Sequence, residues 1–144
     1  MLKTLSIIGY LGTIGGLLGL VAMRAVLSVS PLVISVQTLA VILGVWARVT
    51  FRRRSFHVAA NPTAGGLVMT GPYRYIRHPI YAALCWFTGA AVAAHLSWKT
   101  GLCFAVMLGC TMLRIFCEER LVSVRYPEYR DYAARTWRMV PYVF

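Results

Sequence analysis

The sequence predicts an all-α, polytopic membrane protein with about four transmembrane helices and a C-terminal interfacial helix. Three observations carry this prediction. Hydrophobic residues make up 59% of the chain and charged residues 13%, with mean hydropathy +0.67, a balance far more apolar than that of a soluble domain. Uncharged runs of about bilayer-spanning length recur along the chain. The charge lies almost wholly between and after those runs, and all four carboxylates, Glu118, Glu119, Glu128 and Asp131, fall in the last 27 of 144 residues. A chain this short is read as one membrane domain over residues 1–144, with no room for a separate catalytic module.

The first span is the stretch Leu5 to Met23, which holds 19 uncharged residues, close to the roughly 20 that cross about 30 Å of hydrocarbon. Lys3 is the only charge before it, and no small-x-small site follows cleanly, so a signal peptide is not the reading. Gly12 with Gly16, and Gly15 with Gly19, let another helix approach, either within the chain or from a second copy. A second span covers residues 29–47, where Pro31 stands early enough to be tolerated. The third and fourth cover 79–96 and 100–117, joined tightly through Ser97, Trp98 and Lys99. Four spans in this order are expected to pair as two hairpins. Cys103, Cys110 and Cys117 recur every seven residues and form one stripe on the fourth helix. They read as small packing residues, as does Cys85, with no disulfide framework implied.

Between the hairpins, residues 48–78 read as a loop, with turn signals at Asn61, Pro62, Gly65, Gly66, Gly71 and Pro72. Placing this loop in the cytosol puts both termini and all but Arg24 and Lys99 of the 15 lysines and arginines there, as the positive-inside rule requires. The net charge of +11 then meets anionic membrane lipids, and no nucleic-acid partner is expected. The tail, residues 118–144, turns polar. Pro127 is placed to start a short helix with Tyr129, Tyr132, Ala133, Thr136 and Trp137 on one face, its rings at headgroup depth.

Because nothing before residue 118 is acidic, no span carries the carboxylate that a proton-coupled transporter usually keeps. Arg114 and Glu118 stand four apart on a helix, where their side chains share one face. Pro79 suits the first helical turn, which leaves His78 near the cap and Tyr81 one turn inside. Arg77, His78 and Tyr81 therefore reach the mouth of the third span beside Arg114, Glu118 and Glu119 at the end of the fourth. Cationic, carboxylate and aromatic walls would enclose a half-buried pocket flanked by lipid. No His and Cys cluster has ligand spacing, and no metal is expected.

Three stretches carry a resemblance: GPYRYIRHPIY at Gly71 to Tyr81, RIFCEERL at Arg114 to Leu121, and YPEYRDYAARTWRMVPYVF at Tyr126 to Phe144. Together they resemble the isoprenylcysteine carboxyl methyltransferases and the related phospholipid N-methyltransferases, over about the C-terminal half of the chain. The resemblance implies helical spans, S-adenosylmethionine as donor with S-adenosylhomocysteine as product, and a cytosolic-face site that admits a lipid-like acceptor sideways. It places Gly71, Pro72, Tyr73, Arg77, His78, Tyr81, Glu119 and Tyr126 toward the cofactor, and Arg114 with Glu118 as the catalytic pair facing the acceptor. One position departs from the pattern RHPxYxG, since Ala83 replaces the glycine and its methyl narrows the space for close backbone approach.

Methyl transfer from a sulfonium is an in-line displacement, so alignment and exclusion of water are the protein's tasks. By physical type, Glu119 can accept from the donor's ammonium or ribose hydroxyls, Arg77 or His78 can hold its carboxylate, and Tyr81 can pack on it. A carboxylate acceptor needs only an arginine to orient it, whereas an ammonium must lose a proton and would use Glu118 as base. The preferred expectation is isoprenylcysteine-like carboxylate O-methylation on a lipophilic or lipidated acceptor. The alternatives are N-methylation of an ethanolamine headgroup and a non-catalytic scaffold whose basic loop binds lipid.

Overall fold

The computed structural model describes residues 1–51 and 66–144. Arg52, Arg53 and Arg54, and the turn signals at Asn61, Pro62 and Gly65, lie outside the described residues. Four apolar helices form the body: α1 (Leu2–Ala22), α2 (Pro31–Phe51), α3 (Pro79–Ala94) and α4 (Trp98–Arg125), followed by a short α5 (Tyr129–Ala134). At 1.5 Å per residue, α1 and α2 are each about 31 Å long, α4 about 42 Å and α3 only about 24 Å. Three of them have the length and composition to cross a membrane, and α3 is apolar but shorter. Leu11, Leu18, Val21, Leu32, Leu39 and Val49 stand well exposed on their outer faces. Such faces are matched by acyl chains, not by water.

Helix boundaries follow local chemistry. Pro31 and Pro79 open α2 and α3, where a missing N–H has no helical partner to lose. Ser97 caps α4 through a reciprocal box, its Oγ accepting from the Thr100 N–H at 3.2 Å while Thr100 Oγ1 accepts from the Ser97 N–H at 2.9 Å. This helix runs two turns beyond the predicted end at Cys117, so Glu118 and Glu119 sit on α4 rather than in a tail. No breaker intervenes before Pro127, whose ring drives Tyr126 into extended backbone (φ −127°, ψ 100°) and ends the helix.

The expected pairing into two hairpins is corrected by the packing. α1 lies along α4 and α2 along α3, while α3 and α4 share a smaller contact that includes Gly89 with Phe104 and, at the end that carries the charge, Tyr81 with Glu118. The cause is shape. Gly9, Gly12, Gly16 and Gly19 line one face of α1, and into it fit Cys110, Met107 and Cys103 of α4. Where lipid removes any hydrophobic drive between helices, close approach and interhelical hydrogen bonds decide which faces meet. Thr13 and Thr111 share such a bond at 3.1 Å in the same seam. The cysteine stripe is thus a packing ridge, its three thiols free like that of Cys85 on α3, and the glycine face is used within the chain.

The contact separates adjacent glycines. A methyl on Gly16 would lie 2.7 Å from Met107 Cβ and 2.8 Å from the Cys103 carbonyl oxygen, whereas one on Gly15 would meet nothing within 4 Å. Gly16→Leu is therefore expected to cost at least about 1–3 kcal/mol and to lower the melting temperature in detergent, while Gly15→Leu leaves it unchanged. Equal melting curves for the two variants would contradict this seam.

The tail departs from the expected amphipathic helix. Its helical part contracts to the six residues of α5, and the rings of Tyr129 and Tyr132 are buried within the protein. Beyond α5 the chain turns back and forms a parallel bridge between Ile76 and Trp137. This is the element that positions the site.

Candidate active site

The segment before α3 is held by backbone bonds to the tail. The Arg77 and His78 N–H groups donate to the carbonyls of Trp137 and Arg138 at 2.7 and 2.9 Å, and the Trp137 N–H donates to Tyr75 O at 3.0 Å. Register is fixed along three residues, so Arg77 and His78 are delivered together toward the last turns of α4. His78 occupies the N-cap position of α3 but makes no side-chain capping bond. Its ring goes to the carboxylates instead.

Two groupings result. Glu119 is the centre of the first: its Oε1 accepts from Arg77 Nε at 3.0 Å and lies 3.3 Å from His78 Nε2, and its Oε2 accepts from Arg138 Nε at 3.1 Å. Arg77 also donates through Nη1 to the carbonyls of Ala133, at 2.9 Å, and Thr136. Glu118 is the centre of the second. Its Oε1 accepts from the Tyr81 hydroxyl at 2.6 Å and from Arg114 Nε at 2.9 Å, and Arg114 Nε also lies 2.5 Å from the Tyr81 oxygen. Glu118 Oε2 lies 4.0 Å from His78 Nδ1, so the imidazole stands between the two carboxylates.

The sequence thus places Arg77, His78, Tyr81, Arg114, Glu118 and Glu119 correctly in one cluster. Within it, however, Arg77 and Glu119, expected to hold different groups of a donor, are bonded to each other. Gly71, Pro72 and Tyr73 form a 3₁₀ turn against the end of α2 rather than entering the cluster. Gly71 has φ +58°, and a methyl there would lie 2.6 Å from Thr50 Oγ1, so both conformation and space require glycine. The Tyr73 ring packs 5.8 Å from Phe51, and its carbonyl accepts from the Tyr132 hydroxyl at 2.7 Å. Burial raises the Tyr132 phenol above its ordinary value, which keeps it a donor at any physiological pH. Tyr126 ends α4 as its C-cap. Ala83 is buried, and a methyl on Gly44 of α2 would lie 3.4 Å from its Cβ, so its own methyl is directed to α2.

Two arginine contacts were not visible in the sequence. Arg138 lies over the rings of Phe116 and Phe144, at 5.2 and 5.0 Å, as well as bonding Glu119. Its place inside the third resembling stretch was the available signal. Arg114 lies 4.8 Å from the ring centre of Tyr10 on α1, for which no signal existed. On the tail side of Arg77 a recess of about 380 Å³ is lined by Arg77, Arg135, Thr136, Trp137, Arg138 and Phe144, among others. It does not extend to Glu118.

Apolar helices closing over paired carboxylates, arginines and a tyrosine at one end define an integral membrane protein with a polar site built at the rim of its bundle. Residues 29–129 match the phospholipid methyltransferase family, and the chain belongs to that family. It is also 35% identical over 78 residues to the nickel-cobalt-cadmium resistance protein NccN of Alcaligenes xylosoxydans xylosoxydans. That match covers 52% of this chain and 36% of NccN, so the chain corresponds to little more than a third of that relative. No solved structure matches the chain.

Proposed function

We propose that the protein transfers a methyl group from S-adenosylmethionine to an amine on a lipophilic acceptor, at the membrane face turned to the cytosol. The observation that carries the acceptor class is the burial order of the Arg114–Glu118 pair. The arginine side chain is 5% exposed and the carboxylate 21%. A molecule arriving at this pair meets Glu118 first. A carboxylate acceptor would be repelled there, while an ammonium is attracted and can lose its proton. The arginine that O-methylation would use for orientation is turned inward against Tyr81 and Tyr10, so the geometry favours the N-methyl alternative. Sidedness rests on the concentration of lysine and arginine at the end of the bundle that carries the site.

The side chains fit the donor. The recess offers Arg135 and Arg138 to a carboxylate and the rings of Trp137 and Phe144 to a purine. When bound, S-adenosylmethionine supplies an electrophilic methyl on its sulfonium. The remaining work belongs to the chain. Tyr81 and Arg114 both bond Oε1 of Glu118, which fixes the carboxylate and leaves Oε2 to take the acceptor's proton. Arg77, His78 and Arg138 hold Glu119 and with it the junction between tail and helices. The apolar faces of the bundle keep competing water out.

Two measurements test this reading on detergent-solubilised protein. Calorimetry is expected to give saturable donor binding that weakens by at least about tenfold, or 1.4 kcal/mol, in His78→Ala or Glu119→Ala. Incubation with methyl-labelled donor and a lipid extract is expected to yield a base-stable methylamine. A base-labile methyl ester would transfer the acceptor class to carboxylates. Absence of donor binding would leave a scaffold as the function.

A further inference from the structure

We infer that α1, which lies outside the segment matched to the family, completes the site by positioning Arg114 through the ring of Tyr10. This inference rests on the methyl-transfer reading above. Arg114 reaches from α4 between two tyrosines of different helices. On one side its Nε bonds the Tyr81 hydroxyl of α3 at 2.5 Å and Glu118 at 2.9 Å. On the other, its guanidinium carbon lies 4.8 Å from the ring centre of Tyr10. A cation at that distance is attracted by the negative face of the ring, and the attraction grows when water is excluded. Arg114 is buried, so water is largely excluded here.

The backbone is shaped for this contact. Gly9, the residue before Tyr10, faces the same turn of α4: a methyl on it would lie 2.8 Å from the Cys110 carbonyl oxygen and 3.2 Å from the Arg114 backbone nitrogen. A side chain at position 9 would push α1 outward and lift the Tyr10 ring from the guanidinium. Thr13, one turn further along α1, bonds Thr111 at 3.1 Å, one turn before Arg114 on α4. This bond sets the register that brings Tyr10 level with Arg114.

The consequence is a chain of positioning contacts. Tyr10 holds the guanidinium from outside the α3–α4 pair, the guanidinium and Tyr81 hold Oε1 of Glu118, and Glu118 meets the acceptor. Tyr10 is a positioning residue here, acting through Arg114. Without it the long arginine side chain gains rotamers in which it no longer braces the carboxylate. The α3–α4 pair would then keep its residues but lose their alignment.

The test is a double-mutant cycle in the full chain, read as kcat and as KM for the donor, alongside elution as a single species. Tyr10→Leu is expected to lower kcat at least tenfold with donor KM unchanged within twofold. Tyr10→Phe, which keeps the ring face, is expected to stay within twofold of the parent. In an Arg114→Gln background the Tyr10→Leu change should cost less than threefold, because glutamine carries no charge for the ring to attract and the contact is already lost. If Tyr10→Leu does not give folded protein, Tyr10→Met, similar in length but without a π face, takes its place. Full additivity of the two substitutions, or equal kcat in parent and Tyr10→Leu protein, would overturn the inference. Donor binding without turnover in the parent protein would sink the methyl-transfer reading itself, whatever Tyr10 does.

Discussion

Glu118→Gln is expected to lower methyl transfer by about 10²- to 10⁴-fold, the range usual for loss of a general base, with donor affinity nearly unchanged. Glutamine has the same length and can still accept from Tyr81 and Arg114 through its carbonyl oxygen, so the local packing survives. What it cannot do is take a proton from an ammonium. Arg114→Ala is expected to lower turnover for a different reason. It removes the buried guanidinium that bonds both Glu118 and the Tyr81 hydroxyl, and the carboxylate then loses its fixed orientation. Near-normal turnover in both variants, purified as monodisperse protein, would remove the pair from the reaction.

The second large effect is expected at Arg77. Its Nε and Nη1 join Glu119, the Ala133 carbonyl and the Thr136 carbonyl, so one side chain ties α4, α5 and the returning tail. Arg77→Ala leaves Glu119 with His78, Arg138 and Tyr129 and strips the Ala133 and Thr136 carbonyls of the guanidinium donor. Removing one partner from a buried charged pair costs about 3–5 kcal/mol when the other charge is left uncompensated; both side chains here are nearly buried, at 8% and 13% exposure, but Arg138 still pairs Glu119, so the expected cost lies below that range. The measurable outcome is earlier proteolysis within residues 129–144 together with a lower melting temperature. Lysine at this position should rescue little, since an ammonium cannot span the fork that the guanidinium fills. A protease-resistant tail in Arg77→Ala would show that the backbone bonds to Trp137 and Arg138 suffice without it.

Much of this arrangement was legible in the sequence because it depends on local spacing. The spans follow from runs of uncharged residues, and the alignment of Arg114 with Glu118 follows from four residues on one helix. Pro79 sets where α3 begins and hence where His78 and Tyr81 stand. The partners of each helix were not legible. α1 is apolar on nearly every face, so no amphipathic stripe marks the side that packs, and the fit of its glycines to Cys103, Met107 and Cys110, with the Thr13–Thr111 bond, selects α4. The fold-back of the tail was hidden for a related reason. The tyrosine spacing reads as an interfacial helix, but one backbone ladder between Tyr75 to His78 and Trp137 to Arg138 outweighs it, and that ladder joins residues some sixty positions apart.

The short α3 has a consequence for the surrounding lipid. With its 16 residues it falls about 6 Å short of a hydrocarbon core of about 30 Å, whereas its neighbours match or exceed that thickness. A bilayer relieves such a mismatch by thinning locally, at a fraction of a kcal/mol per ångström. Thinning beside α3 draws headgroups down toward its first turn, where Tyr81 bonds Glu118 of α4. An acceptor dissolved in the membrane would then have its polar end brought to the carboxylate by the deformation of the leaflet itself, and acyl-chain length becomes a determinant of turnover alongside the side chains.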